Sequence, residues 1–102
     1  MTGFQFHPDA EQELQAALDW YESRQIGLGA QLLVEVDRSL ALLRETPALW
    51  PAWPGVAKRL GVRRCLLPRF PYAIAYSAHA DSIVVFAVAH LSRRPGFWRG
   101  RV

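Results

Sequence analysis

The fold of this chain is decided by residues 72–89, which read YAIAYSAHADSIVVFAVA. Large and small side chains alternate over Tyr72–Ala78, as they do in a strand with two different faces. Residues 82–89 are the next strand candidate, and residues 83–89 within it are apolar on both faces, which is typical of a strand in the middle of a sheet. A short turn through His79 and Asp81 joins the two segments. We therefore predict an antiparallel hairpin whose second strand is central.

Residues 62–67 are a third strand candidate, so the three strands together predict an antiparallel meander. The stretch before them, WPAWPG at residues 50–55, contains too much proline for regular structure. It predicts a loop between helices and sheet. We expect its Trp50 and Trp53 to cover an edge of the core rather than to stack on nucleic-acid bases.

Two helices are predicted before this loop, because apolar residues recur there at steps of three and four. The first stripe consists of Ala10, Leu14, Ala17, Leu18 and Tyr21. The second stripe consists of Leu32, Leu33, Val36, Leu40 and Leu43, and it ends before Thr46 and Pro47. Since Gly27 and Gly29 break the pattern between the stripes, the helices are expected to form an antiparallel hairpin.

Residues 4–6 predict a short N-terminal strand, which ends where Pro8 lacks a backbone donor. The order strand, helix, helix, three strands predicts an α+β fold, with the N-terminal strand and an α-helical hairpin packed on a small, mostly antiparallel β-sheet. The helices should cover one face of the sheet, and the C-terminal tail should cross its end. The length fits a single domain over residues 1–102.

Charge is segregated along the chain. Residues 1–50 carry three Arg against eight Asp or Glu, a net charge of −5, whereas residues 51–102 carry nine Lys or Arg against Asp81 alone, a net charge of +8. Four of the cations belong to the tail, namely Arg93, Arg94, Arg99 and Arg101. Such a basic surface attracts an acidic protein segment or a nucleic acid, and does not by itself distinguish between them.

Membrane and metal proteins are disfavoured by the same sequence. The longest apolar run, residues 83–89, is far shorter than the roughly 20 residues of a membrane span, and no basic-then-apolar leader opens the chain. We therefore expect a cytoplasmic protein without a membrane partner. Cys65 is the single cysteine, and the three histidines show no metal-ligand spacing with it. We expect neither a metal site nor a cofactor.

Four local sequences, in this order, resemble the toxins of the RelE/ParE superfamily. They are ALDWYE at residues 17–22, PALWP at 47–51, RFPYAIAY at 69–76, and VAH at 88–90 followed by Arg93-Arg94-Pro95 and Phe97-Trp98. The last two are the most diagnostic. They combine an aromatic-proline-tyrosine strand entry, a hairpin, and an alanine-histidine ending with an arginine and an aromatic residue beyond it. The resemblance covers nearly the whole chain.

The resemblance implies a growth-inhibiting toxin of a type II toxin–antitoxin module. A cognate antitoxin neutralises such a toxin by wrapping a flexible segment around the helical hairpin and the sheet. Two targets are implied by different branches of the superfamily. The ParE-like branch inhibits DNA gyrase without known hydrolytic chemistry of its own, whereas the RelE-like branch is a ribosome-dependent mRNA endoribonuclease that needs no metal.

His90, Arg93 and Arg64 are the candidate catalytic residues if the chain is a nuclease. The resemblance places the two arginines where the nucleolytic branch carries basic residues, and the ordinary pKa of histidine suits general acid–base catalysis. A structural role competes for His90, which we expect to donate a hydrogen bond to a backbone carbonyl and so to pin the tail. Ala73 and Leu66 occupy positions where nucleases of this branch carry further cations, which weakens the catalytic reading.

Target or antitoxin binding is the alternative role of the basic residues. The candidates are Arg69, Arg93, Arg94, Trp98, Arg99 and Arg101. Arginine suits this role because its planar group binds carboxylates and phosphates with two hydrogen bonds. We favour the ParE-like, non-enzymatic toxin over the endoribonuclease. A degenerate member, kept only to bind and repress with its antitoxin, is the third reading that the sequence leaves open.

Overall fold

The computed structural model describes residues 3–94 and 96–102. Its main elements are β1 (Gly3–Phe6), α1 (Pro8–Arg24), α2 (Leu28–Glu45), β2 (Arg63–Leu66), β3 (Tyr72–Ala78) and β4 (Ser82–His90). Short 3-10 turns occur at Lys58–Leu60 and Arg99–Arg101. Met1 and Thr2 of the predicted domain, and Pro95 of the tail motif, lie outside the described residues. Within that part of the chain, no helix is long and apolar enough to cross a membrane.

The four strands form one sheet in the order β1-β4-β3-β2, so the prediction that the last strand is central is confirmed. β1 runs parallel to β4, and the other two pairs are antiparallel. β2 has four residues rather than the six predicted. Its outer edge is covered by the proline-rich loop, where Arg64 N–H donates to Pro51 O and Trp53 N–H donates to Val62 O, both at 2.9 Å. The loop thereby protects an exposed strand edge.

α1 and α2 form the predicted hairpin, and its close packing explains the two glycines. Gly27 has a φ of 90°, a left-handed conformation that favours glycine. Gly29 lies in the first turn of α2, and a Cβ there would come within 2.7 Å of Leu18 O. The Glu22 carboxylate accepts the N–H groups of Gly27 and Gly29 at 2.9 and 3.0 Å. These bonds satisfy donors at the start of α2 that have no partner within the helix.

Apolar side chains bury both faces of the sheet. The helical face is the larger core, in which Leu32, Val36 and Leu43 of α2 join Ile74, Tyr76, Ile83 and Val85 of the strands. On the opposite face, Trp53 of the loop and Trp98 of the tail cover the sheet, with ring centroids 5.1 Å apart. The loop and the tail therefore form a third layer, in which Trp53 and Trp98 are both buried; Trp53 lies in the core rather than at its edge.

A bulge in β4 rotates the second half of that strand. Ala75 pairs with Ala87 and Tyr76 pairs with Val85, so Phe86 is an extra residue on β4. Phe86 and Ala87 consequently both pack in the core under the tail, although they are neighbours in sequence. A bulge of this kind frees backbone groups and re-aims a strand, and it is common beside functional sites.

Two buried weakly acidic groups, the Tyr76 hydroxyl and the Cys65 thiol, make the stability of this fold sensitive to high pH. The Tyr76 hydroxyl donates to Pro47 O at 2.7 Å, and burial raises the pKa of Tyr76 from 10.0 to about 12. Burial also raises the pKa of the Cys65 thiol from 9.0 to about 11. The folded state binds both protons more tightly than the unfolded state does. This difference stabilises the fold fully at pH values below the unfolded-state pKa values, and the stabilisation is lost as pH rises through the folded-state pKa values.

We expect the free energy of unfolding to fall as pH rises from 9.0 to about 12. Tyr76→Phe removes one hydrogen bond and should cost about 1 kcal/mol at neutral pH. Above the ordinary tyrosine pKa, the free energy of unfolding of this variant should also fall less with rising pH than that of the parent protein. Urea unfolding across this pH range measures both effects. An equally steep decline in the variant would contradict this assignment.

Candidate functional site

The part of β4 beyond β1 has an open edge. β1 pairs only with the first four residues of β4, ending at Val85. The carbonyl of Tyr72, opposite His90, accepts a hydrogen bond from Leu67 N–H at 2.9 Å and so points toward β2. In an antiparallel ladder, the N–H and C=O of His90 then point away from β3, as do those of Val88 two residues earlier. This edge faces α1.

Glu13 of α1 and Arg101 of the tail bind the part of this edge nearest β1. Glu13 accepts the Val88 N–H at 3.0 Å. Arg101 donates to the two Glu13 carboxylate oxygens at 3.0 and 2.8 Å and to the Phe86 carbonyl at 3.0 Å. The hydrogen bond to Glu13 raises the pKa of Arg101 above its ordinary value. Since 16% and 15% of the two side chains are exposed, water screens this pair only weakly.

A groove of about 390 Å³ runs between α1 and the open edge, and we call it the α1–β4 groove. It is lined by Glu13, Ala16, Ala17, Trp20, Tyr21, Tyr72, Val88, His90 and Arg93. Half of the Trp20 side chain is exposed, and the Arg24 guanidinium lies 4.5 Å from its ring centroid. Burial raises the pKa of Tyr72 above its ordinary value of 10.0. The groove thus combines aromatic walls, a strand edge that no other strand covers and the cation of Arg93.

His90 ends β4 and fixes the turn into the tail. Its Nδ1 accepts the Ser92 N–H at 3.0 Å, and its carbonyl accepts the Arg93 N–H at 3.0 Å. The ring packs edge-on against Tyr72, with centroids 5.0 Å apart. The prediction that the imidazole donates to a backbone carbonyl is wrong in direction, because the imidazole accepts from a backbone N–H. That bond requires an Nδ1 without a proton.

The structure divides the predicted binding residues into two groups. Arg69, Arg93, Arg94 and Arg99 are exposed. Arg69 pairs with the buried Glu35, Arg99 donates to Gly55 O at 2.6 Å, and Arg93 lies 3.9 Å from the Phe97 ring centroid. These four side chains are accessible to a partner.

Trp98 and Arg101 form the second group, and they correct the sequence-based assignment. Trp98 has no exposed surface because the tail folds back over the sheet and packs this indole edge-to-face against Trp53. Arg101 is held between Glu13 and the Phe86 carbonyl. Neither side chain is presented to a partner, and both instead hold the tail in place.

The three candidate catalytic residues come together around a smaller pocket of about 90 Å³, which we call the Arg64 pocket. His90 and Arg93 line both this pocket and the α1–β4 groove, whereas Arg64 lines only the pocket. Ala73 is fully buried and Leu66 is exposed on β2, so the sheet offers no cation at either position.

Sequence reasoning missed Glu13 and Trp20 as site residues. The position of Glu13 in the first turns of α1 is explained equally well by the helix dipole, which favours acids there. A sharper signal was available, because Glu13 lies three residues after Ala10 and four before Ala17 on the buried stripe. An acid on such a stripe indicates a buried partner. Trp20 continues the same spacing into the groove.

Comparisons with known proteins agree with this architecture. A family model described as the ParE toxin of the type II toxin–antitoxin system parDE matches residues 4–95. Among solved structures, the chain is similar to one described as the chromosomal ParDE TA system from P. aeruginosa. The TM-score is 0.71 at 18% identity, over 90% of this chain and 98% of the other, which confirms the predicted α+β fold. No curated protein matches the sequence.

We expect Glu13→Gln to lower the free energy of unfolding by about 1–3 kcal/mol, because Arg101 then keeps only the exposed Asp9 carboxylate, 3.7 Å from its Nε, as a counter-ion. Glu11→Gln, at an exposed position of the same helix, should change it by less than about 0.5 kcal/mol. Denaturant unfolding followed by circular dichroism measures both values. Equal effects of the two substitutions would show that the Glu13–Arg101 pair does not hold the tail.

Proposed function

Because this chain belongs to the ParE toxin family of type II toxin–antitoxin systems, we propose that it inhibits bacterial growth and that a cognate antitoxin neutralises it. The observation that carries the binding proposal is the open edge of β4 at the α1–β4 groove. Family membership implies a protein partner, and this surface has the features that such a partner needs. We place the action of the toxin in the cytoplasm, where both candidate targets are found.

The α1–β4 groove suits an extended segment of the antitoxin. A peptide that lies along Val88 and His90 would add a strand to the sheet through the Val88 C=O and the His90 N–H, because Glu13 already accepts the Val88 N–H and the His90 C=O already accepts the Arg93 N–H. Its alternate side chains would pack against the exposed ring of Trp20 and against Tyr72, both of which line the groove. Buried aromatic contacts of this kind supply much of the affinity of protein interfaces.

Charge supplies the second part of the binding proposal. Arg93 lines the groove, and Arg94 follows it with an exposed side chain. An acidic antitoxin segment would pair with both, and exposed ion pairs of this kind speed association and weaken with salt. The apolar contacts to the aromatic wall are much less sensitive to salt, so the two contributions are separable by experiment.

For the target we propose DNA gyrase, which the toxin would inhibit by binding rather than by chemistry. Ribonuclease catalysis without a metal needs several cations around one phosphate. Ala73 and Leu66 provide none, and Arg101 is engaged by Glu13. The alternative is a ribosome-dependent mRNA endoribonuclease, and the observation in its favour is that His90, Arg93 and Arg64 surround one pocket.

Filling the groove tests the antitoxin site. Ala16 is exposed and lines the groove, so Ala16→Trp should occupy it without disturbing the core. We expect this change to weaken antitoxin binding by at least roughly tenfold, because it blocks the path of the added strand. Gln15→Trp, on the exposed neighbouring position of α1, is the control and should bind normally. Calorimetric titration of each variant with the antitoxin gives the affinities, and unchanged binding of Ala16→Trp would rule out the groove.

Neutralising Arg93 and Arg94 together tests the electrostatic part. The double substitution to Gln should weaken the complex and flatten its salt dependence. Arg59→Gln, a distant exposed position, should leave the salt dependence as it is. Affinity measured at several salt concentrations decides the matter. A steep dependence that survives the double substitution would remove these two arginines from the interface.

The target is tested by two assays on purified protein. We expect inhibition of gyrase supercoiling and no cleavage of mRNA on purified ribosomes. In a nuclease that uses His90, the His90→Gln change would lower cleavage by roughly 10²–10⁴-fold. Codon-specific cleavage that disappears in His90→Gln would therefore overturn the gyrase proposal in favour of the endoribonuclease.

A further inference from the structure

The outward-facing side of α2 is apolar along its centre. In a helix, residues at steps of four and seven share one line, and Ala30, Val34 and Ala41 lie on such a line. All three are exposed, and Leu42 beside them is exposed as well. The solvent side of a helix normally carries polar side chains at such positions. This side of α2, which we call the α2 outer face, therefore has the composition of a contact surface.

Four exposed charged residues border this line in two pairs of opposite sign. Asp37 and Arg44 lie on one side of it, and Arg38 and Glu45 lie on the other. The members of each pair are separated by about two turns of the helix, whereas ion pairs within one helix join residues three or four apart. Among the described residues, none of the four takes part in an ion pair. Their charges are thus available to a second molecule.

The order of these charges fits a second copy of the same helix. When two α2 helices run antiparallel about a two-fold axis, each side of one helix meets the same side of the other. With Ala41 of both copies at the axis, Asp37 faces Arg44 of the second copy, and Arg38 faces its Glu45. The symmetry doubles each of these attractive contacts. An axis between Asp37 and Arg38 would instead oppose like charges on both sides.

Small side chains on the centre line permit a close approach of the two helices. Helix axes pack about 8–10 Å apart depending on the side chains at the contact, and alanine at the axis allows the shorter distance. The Arg44 guanidinium lies 4.8 Å from the Phe4 ring centroid, which orients it before a partner arrives. No residue that lines the α1–β4 groove belongs to α2, so the two surfaces are separate.

We propose that the α2 outer face is a self-association surface, through which two copies of this chain form an antiparallel dimer centred on Ala41. The occupant is a second copy because the charges of the face complement themselves. An acidic antitoxin segment would meet as many acids as arginines along this line, so it would gain little net attraction. The dimer depends neither on the toxin's target nor on the α1–β4 groove.

Complementary charge reversals test this arrangement on the full chain. Asp37→Arg places an arginine against Arg44 of the second copy, and Arg44→Glu places a glutamate against its Asp37, so each variant alone should be monomeric. Mixed in equal amounts, the two variants should form a heterodimer, because each reversed residue then faces a residue of opposite charge. Gel filtration with light scattering measures the masses. The parent protein should show twice the mass of one chain.

Two controls separate the surface from general effects of charge. Glu11→Arg makes the same change of charge as Asp37→Arg at an exposed position of α1, and it should remain dimeric. Ala41→Cys adds a thiol at the proposed axis, whereas the native Cys65 is fully buried. Mild oxidation should therefore link two Ala41→Cys chains through a disulfide, because the two thiols lie opposite each other. Arg59→Cys, exposed outside α2, should stay unlinked.

Three results would each overturn the proposal: a monomeric parent protein, a mixture of the two reversed variants that stays monomeric, or equal disulfide linkage of Ala41→Cys and Arg59→Cys. If Arg44→Glu fails to fold, Arg38→Glu and Glu45→Arg give the same comparison on the other side of the line. A monomeric parent whose antitoxin binding is weakened by Asp37→Arg would assign the face to the antitoxin instead. None of these results bears on the α1–β4 groove, which the Ala16→Trp variant tests separately.

Discussion

β1 ends halfway along β4, and the carboxylate of Glu13 takes the place that a longer β1 would occupy. It accepts the free Val88 N–H and binds Arg101, which in turn donates to the Phe86 carbonyl at the bulge. One carboxylate thus connects α1, β4 and the C-terminal tail. The position of α1 sets the width of the α1–β4 groove, and the position of the tail keeps Trp98 over the second core. The groove and the Arg64 pocket share a wall because His90 and Arg93 line both.

Much of the fold follows from local patterns, because those patterns report burial directly. The apolar stripes predict both helices, and the doubly apolar run from Ile83 predicts a central strand, as the structure confirms. The bulge at Phe86 does not follow, because two adjacent apolar residues in a strand buried on both faces give no sign of a register shift. The prediction that Trp98 binds a partner was wrong for a related reason. An aromatic residue among arginines is typical of an exposed tail, and only the tertiary structure shows that the tail covers a sheet face.

The site was less predictable than the fold because folding redistributes the charges. The second half of the sequence carries a net charge of +8, yet several of its arginines serve the structure. Arg63 donates to the Trp50 carbonyl, Arg69 pairs with Glu35, and Arg101 binds Glu13. Beside the α1–β4 groove, Arg93 and Arg94 supply the exposed positive charge, and the groove itself joins Trp20 of the acidic half to Tyr72 of the basic half. Counting charged residues along the sequence separates an acidic half from a basic half, whereas the folded structure combines residues of both halves into one surface.

The central claim is that the open edge of β4 is where the antitoxin adds a strand. Amide hydrogen exchange tests it most directly, because it reports the His90 N–H itself. In the free protein this amide points away from β3 and should exchange rapidly, and in the antitoxin complex it should become protected by on the order of a hundredfold or more. Amides on the far edge, in the loop over β2, should not change. Rapid exchange of the His90 amide in a fully formed complex would contradict the account.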